Sequence, residues 1–216
     1  MNAPAAHHIT VARTARYHTM GPAEAPDVCL VLHGYGQLAR YFVQPFAALA
    51  DVGRRIIAPE ALSRFYLDGF DGRVGATWMT RADREHEIGD YIRYLDALAD
   101  AEVGAETGLT VLGFSQGTAT ACRWAARGTH AVDRLILWAG GVPSDVDWTA
   151  HRERFEAMDL TLVIGTEDEY ITDEQVAQQE ARLHAHQIPH RTVRFDGGHR
   201  IDAEVLAQVA GPRSEE

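Results

Sequence analysis

The chain is poor in cysteine and basic residues, and it has no long apolar run. Its two cysteines, Cys29 and Cys122, each sit among apolar neighbours. So sparse a pair argues against a disulfide-stapled scaffold and a zinc site, and both are expected as small buried side chains. No segment reaches the roughly 18 consecutive apolar residues of a membrane span. The N-terminal stretch MNAPAAHHITVARTAR lacks the apolar core of a signal peptide, so a cytoplasmic location is expected. Basic residues number 20 against 31 acidic ones, a formal net charge of −11. That balance speaks against nucleic acid or an anionic membrane as partner, because a phosphate-rich surface would repel it. The 11 histidines show no H-E-x-x-H or paired ligand spacing, so neither a metal nor an organic cofactor is expected.

What is present is ordinary for a globular protein: 216 residues, 46% apolar and 24% charged. The length fits one domain over 1–216, with short flexible termini at about 1–7 and 211–216. Short apolar runs ended by turns predict strands at 27–34, 55–58, 109–114, 134–140, 160–166 and 190–195, with a further N-terminal strand within 8–18. Helices are expected at 41–50, 83–101, 115–127, 172–186 and 201–210. Ile88, Ile92, Leu95 and Leu98 line one helix face at three- and four-residue steps. Thr172 and Gln175 carry a capping-box signature. Residues 60–82 read as a long connection rich in glycine and aromatics. Strands that are apolar throughout and alternate with helices imply an α/β fold, a mostly parallel sheet covered on both faces. In such sheets ligands bind beyond the carboxyl ends of the strands.

Four strand ends carry chemistry. They are His33-Gly34-Tyr35-Gly36, Ser115 within GFSQG, Gly165-Thr166-Glu167-Asp168, and Asp196-Gly197-Gly198-His199. G-x-S-x-G alone arises by chance in roughly one chain of this length in fifteen. Its company gives it meaning, because acyl transfer needs a serine hydroxyl, a base to take its proton, a carboxylate to orient the base, and N–H donors for the oxyanion. Gly113 and Gly117 would relieve crowding at a sharp strand-to-helix turn, and the helix that follows points its positive end at developing charge. Each residue has a plainer alternative. Ser115 could be a helix N-cap. Asp168 competes with Glu167 and Glu169 as part of a solvated loop. His199 competes with His184, His186 and His190, but it alone follows a Gly-Gly turn after a strand. His33 is expected to brace a turn.

The order Ser115, Asp168, His199 is that of α/β-hydrolases. The set LHGYG, GFSQG, GTEDEYI and DGGHRI resembles the phospholipase/carboxylesterase family, which includes acyl-protein thioesterases. The resemblance covers Val28 to about Ile201. It implies an α/β-hydrolase fold without a large cap domain, Ser115 as nucleophile, His199 as base and Asp168 as orienting acid. It also implies an oxyanion hole from the backbone N–H groups of Tyr35 and Gln116. Members usually carry a small or aliphatic residue at Tyr35 and often an Asp at Gln37, so this chain departs there. The implied activity is hydrolysis of carboxylic esters of small or medium acyl chain. Lysophospholipase and acyl-protein thioesterase activity are the alternatives, and a non-catalytic binding module or a peptidase or acyltransferase the rivals. The expected partner is a small-molecule ester, and a homodimer is compatible with the family. Phe65, Tyr66 and Trp78 in the long connection, with Trp138 and Val142, are the candidate substrate walls. Phe70 lies in the same connection, as do Arg64, Arg73 and Arg81, which could bind a substrate carboxylate or phosphate or stay solvated.

Overall fold

A computed structural model describes residues 3–212. The described residues form nine strands and seven α-helices. The strands are β1 (Tyr17–Met20), β2 (Asp27–Leu32), β3 (Arg55–Pro59), β4 (Ser63–Tyr66), β5 (Val74–Thr77), β6 (Gly108–Phe114), β7 (Arg134–Trp138), β8 (Asp159–Gly165) and β9 (Arg191–Phe195). The helices are α1 (Ala39–Phe42), α2 (Ala47–Asp51), α3 (Arg84–Glu102), α4 (Gln116–Arg127), α5 (Arg152–Glu156), α6 (Asp173–Ala185) and α7 (Ala203–Ala210). Seven strands form one sheet in the order β1-β3-β2-β6-β7-β8-β9. Only β1 runs antiparallel, against β3, and every other neighbour pair is parallel.

Side-chain alternation along β2 explains the two-sided core. Val28, Leu30 and Leu32 face one layer with Ile88, Tyr91 and Leu95 of α3 and Trp124 of α4. Cys29 and Val31 face the other, with Phe46, Leu49 of α2 and Leu206 and Val209 of α7. Helices therefore cover both faces, as near-continuous apolar strands require. The two cysteines lie on opposite faces of the sheet as free, buried thiols, and burial pushes the Cys29 thiol up to about 11.

Three expectations are corrected. The helix read over 41–50 is broken into α1, a 3-10 turn over Gln44–Phe46, and α2. Pro45, with no N–H to donate, ends the first segment. The N-terminal strand begins only at Tyr17. Before it, Arg16 reaches the buried Glu60, and its carbonyl accepts from the Glu60 N–H and the Tyr94 hydroxyl. Residues 8–16 carry no strand.

The third correction concerns residues 60–82. They hold an antiparallel hairpin, β4 against β5, registered Ser63 to Thr77 and Tyr66 to Val74, where one long connection is expected. The hairpin is fastened to the turn after β2. Gly36 N–H donates to the Ala76 carbonyl at 2.9 Å, and Ala76 N–H donates to the Gln37 carbonyl at 3.2 Å. At the C-terminal end, Gly211 is buried and its carbonyl accepts from Arg134 at 2.7 Å. The other residues of the expected flexible tails are outside the described residues at 1–2 and 213–216, or are exposed and without regular structure at 3–7 and 212.

The helix that carries Ser115 at its entry is locked by one ion-pair network. Arg123 of α4 is buried and makes two bonds to Asp145, at 2.8 and 2.9 Å, while Arg84 of α3 reaches the same carboxylate at 2.9 Å. Burial acts to raise the Asp145 pKa, but the hydrogen bonds from Arg123 and Arg84 outweigh it and hold the carboxyl well below the usual range. Asp145→Asn leaves Arg123 without its counter-charge. The substitution is expected to cost about 2 kcal/mol, less than a fully buried pair because a third of the Asp145 side chain meets solvent. A thermal melt should show it as a Tm lower by about 4 to 8 °C.

Candidate active site

Ser115 stands between β6 and α4 with φ 54° and ψ −116°. Such a backbone is rare for a residue with a Cβ and costs on the order of 1–3 kcal/mol, so it persists only where its surroundings impose it. They do. A Cβ on Gly113 would lie 2.3 Å from the Gly117 carbonyl oxygen, and one on Gly117 would lie 2.2 Å from the Leu32 carbonyl oxygen. Both glycines are needed because the strand, the turn and the helix pass closer than side chains allow. The Ser115 N–H donates to the Trp138 carbonyl at 2.9 Å, which holds the turn against the end of β7.

Asp168 and His199 are brought together by two laced loops. Thr166 N–H donates to the Phe195 carbonyl and Glu167 N–H to the Gly197 carbonyl, each at 2.9 Å. His199 Nδ1 then lies 2.9 Å from one Asp168 oxygen and 3.1 Å from the other. The Asp168 side chain is fully buried, and one of its oxygens also accepts from the N–H groups of Tyr170 and Ile171. Those donors fix the orientation of the carboxylate. Glu167 and Glu169 are exposed. The His199 ring packs against Phe114, the residue before Ser115, with centroids 4.9 Å apart, and edge-on against Tyr170 at 4.7 Å.

The turn after β2 leaves one donor open. Gly34 N–H goes to the Gln37 side chain at 2.8 Å, Gly36 N–H to Ala76, and Gln37 N–H to Gly34. Tyr35 N–H has no acceptor among the described residues. Gln116 N–H is the first of α4, where no intrahelical acceptor exists. The Gln116 side chain is a staple: it accepts from Trp78 N–H at 3.1 Å and donates to the Met79 carbonyl at 3.0 Å. Gln37, where the resemblance led us to expect Asp, does its own bracing through the bond to Gly34.

The candidate substrate walls separate into two groups. Trp78 is buried, and its indole N–H donates to the His33 carbonyl at 2.9 Å. Trp138 is fully buried and donates to the Arg200 carbonyl at 2.8 Å. Val142 is buried beside Gln179, which accepts its N–H. These three brace the loops from behind and do not face solvent. Phe65 is half-buried against the exposed Tyr35 ring, 5.2 Å between centroids, while Tyr66 and Phe70 are exposed. Arg64 is spent on Glu60, at 2.6 Å. Arg81 is exposed.

None of the five expected wall residues lines the groove that meets His199. That groove, about 840 Å³, runs between α1 and the loop joining β4 to β5. Its apolar lining includes Leu38, Phe42, Leu67, Val74, Phe114 and Ile201, with Arg40, Arg73 and Arg200 on its rim. Phe114 could have been found in the sequence, as the neighbour of Ser115. Leu67 and Val74 flank the Asp-Gly and Asp-Gly-Arg turns of the hairpin, a signal hidden while the segment is read as one loop.

The fold and sheet order are those of an α/β-hydrolase. The model of the family described as Serine hydrolase (FSH1) matches residues 24–206, and the chain belongs to that family. No curated protein matches it in sequence. Among solved structures it is similar to acyl-protein thioesterase 2 of Zea mays, with TM-score 0.73 and 20% identity over 91% of this chain and 96% of the other. It is also similar to a carboxylesterase from Mesorhizobium loti, with TM-score 0.70 and 19% identity over 92% and 95%. Arabidopsis thaliana SOBER1 superposes with TM-score 0.67 and 17% identity over 85% and 95%.

His33 joins the turn to β3. Its Nδ1 lies 2.7 Å from the Gly34 carbonyl, and its Nε2 accepts from Ala61 N–H at 3.1 Å. That pairing fixes the neutral tautomer with the proton on Nδ1. Burial lowers its pKa to about 4 from an ordinary 6.5. The depressed pKa means the unfolded chain takes up a proton first, so His33 supports the fold fully above pH 6.5 and loses that support as pH falls to 4. The loss is about 3 kcal/mol. Denaturant titrations should show a steeper fall in stability across this window for the wild type than for His33→Gln.

Proposed function

We propose that this serine hydrolase cleaves carboxylic esters of small or medium acyl chain. The observation that carries the reading is the fully buried Asp168 bonded to His199 Nδ1 at 2.9 Å, with His199 packed on the residue before the strained Ser115. The ester carbonyl oxygen rests on the N–H groups of Tyr35 and Gln116. The Ser115 oxygen attacks the carbonyl carbon while His199 Nε2 takes its proton. The oxyanion collapses, the bond to the leaving alcohol breaks, and His199 returns the proton to that alcohol. A water molecule, deprotonated by the same nitrogen, attacks the acyl-enzyme and releases the acid and free Ser115. Asp168 stabilises the imidazolium in both halves. The donors are backbone groups set before substrate arrives, so they cost no reorganisation during reaction.

Acyl-protein thioester or lysophospholipid cleavage would run on the same residues, since only the leaving group changes. The solved neighbour named as a thioesterase keeps that second reading open, and the 840 Å³ groove accommodates an acyl chain. Trp78, Trp138 and Val142 serve as positioning residues in this scheme, through the carbonyls of His33 and Arg200 and through Gln179.

The test is hydrolysis of p-nitrophenyl esters of graded chain length. Ser115→Ala should lower kcat by at least about 10³-fold. Asp168→Asn should lower it by a similar order while retaining the fold, because the base is then held in the wrong tautomer. Equal turnover by wild type and Ser115→Ala would end the proposal. The chain-length optimum measures the groove.

A further inference from the structure

The groove beside His199 has an unusual charge for this molecule. The chain carries 31 acidic residues against 20 basic ones. Yet the residues that line the groove include three arginines, Arg40, Arg73 and Arg200, and not one carboxylate. Three guanidinium groups, with no carboxylate in the lining itself, offer an anionic group partners that a neutral ester does not use.

The three arginines are engaged to different degrees. Arg200 is paired with Asp202 at 2.9 Å, and its guanidinium lies back against Gly197 and the Phe195 ring. Arg73 is largely exposed, with a long 3.5 Å contact to an equally solvated Asp68. Arg40 makes no ion pair among the described residues and rests over the Tyr41 ring, 4.4 Å from its centroid. Arg40 comes from α1 and Arg73 from the loop between β4 and β5, so they stand on the two separate elements that wall the groove. Much of the remaining lining is apolar, including Leu38, Phe42, Leu67, Val74, Phe114 and Ile201. A ligand with an apolar middle and an anionic end meets both kinds of surface, with the guanidinium forks suited to a planar carboxylate or a phosphate.

We propose that Arg40 and Arg73 select an ester whose acyl or alcohol part ends in an anionic group, a carboxylate or a phosphate, held at the rim while the scissile carbonyl sits at Ser115. The proposal rests on the hydrolase reading for the position of the scissile bond, and its anion site can be tested without turnover. Both side chains are exposed, so their replacement by glutamine leaves the core intact.

The experiment measures equilibrium binding to Ser115→Ala by calorimetry. The probes are monomethyl adipate, its neutral dimethyl ester, and a phosphonate of the same length beside its own neutral ester. At least one anion should bind about fivefold more tightly than its neutral partner. The tighter of the two anions identifies the end group. Arg40→Gln and Arg73→Gln, each added to Ser115→Ala, should bring the ratio toward one, and raising salt from about 0.05 M to about 0.5 M should shrink it as well. Neutral esters binding as tightly as both anions would overturn the proposal, as would a preference that survives both arginine substitutions. Loss of ester turnover in the wild type strikes the hydrolase reading instead and leaves this binding measurement to decide the anion site.

Discussion

The structure is organised around one steric constraint, the backbone of Ser115 held at positive φ. A residue with a Cβ does not rest there by preference, so its neighbours must leave it no alternative. They do so by closeness. The carbonyl of Leu32 passes where a side chain on Gly117 would be, and the Gly117 carbonyl passes where one on Gly113 would be. The parallel pairing of β2, β6 and β7 sets those distances, and Asp145, bonded to Arg123 of α4 and Arg84 of α3, ties the two helices together. The strain is thus stored in a small region whose energy comes from ordinary core packing on both sides.

Around that turn, buried polar side chains act on backbone atoms more than on each other. His33 bonds to Gly34 and Ala61, Trp78 to His33, Trp138 to Arg200, and Gln116 to Trp78 and Met79. Each bond satisfies a group that burial would otherwise leave unpaired, and each fixes a loop that bears a proposed catalytic atom. Under the proposed mechanism, loops held in this way keep the N–H donors in place before a transition state forms. Asp168 shows the same economy, since its carboxylate takes two backbone N–H groups of its own loop as well as His199.

The sheet was legible in the sequence because its strands are apolar throughout and end in glycine-rich turns. The strand ends gathering Ser115, Asp168 and His199 could be read for the same reason, since the topology of a parallel sheet sends them to one edge. The hairpin within 60–82 was hidden. Its strands, SRFY and VGAT, are only four residues long, and neither an apolar run nor a clear polar–apolar alternation marks them. The groove was hidden with it. Large aromatic residues near a site suggest walls, but Trp78 and Trp138 carry an indole N–H that found a buried carbonyl, and that drew them into the core. The walls instead come from smaller apolar residues such as Leu67 and Val74, whose role depends on how the hairpin folds back over Gly36. The break at Pro45 could have been read from the residue itself.

The hairpin's attachment has a consequence for how such a protein can change. It is fastened to the turn after β2 by bonds between backbone atoms, and to α4 by a glutamine that grips backbone atoms at Trp78 and Met79. None of these bonds depends on which side chains the tip carries. The seven residues between β4 and β5 can therefore be exchanged, lengthened or recharged while the socket stays the same. A groove built this way has an interchangeable wall. If the groove holds substrate as proposed, new preferences can arise at the tip without disturbing the strained serine.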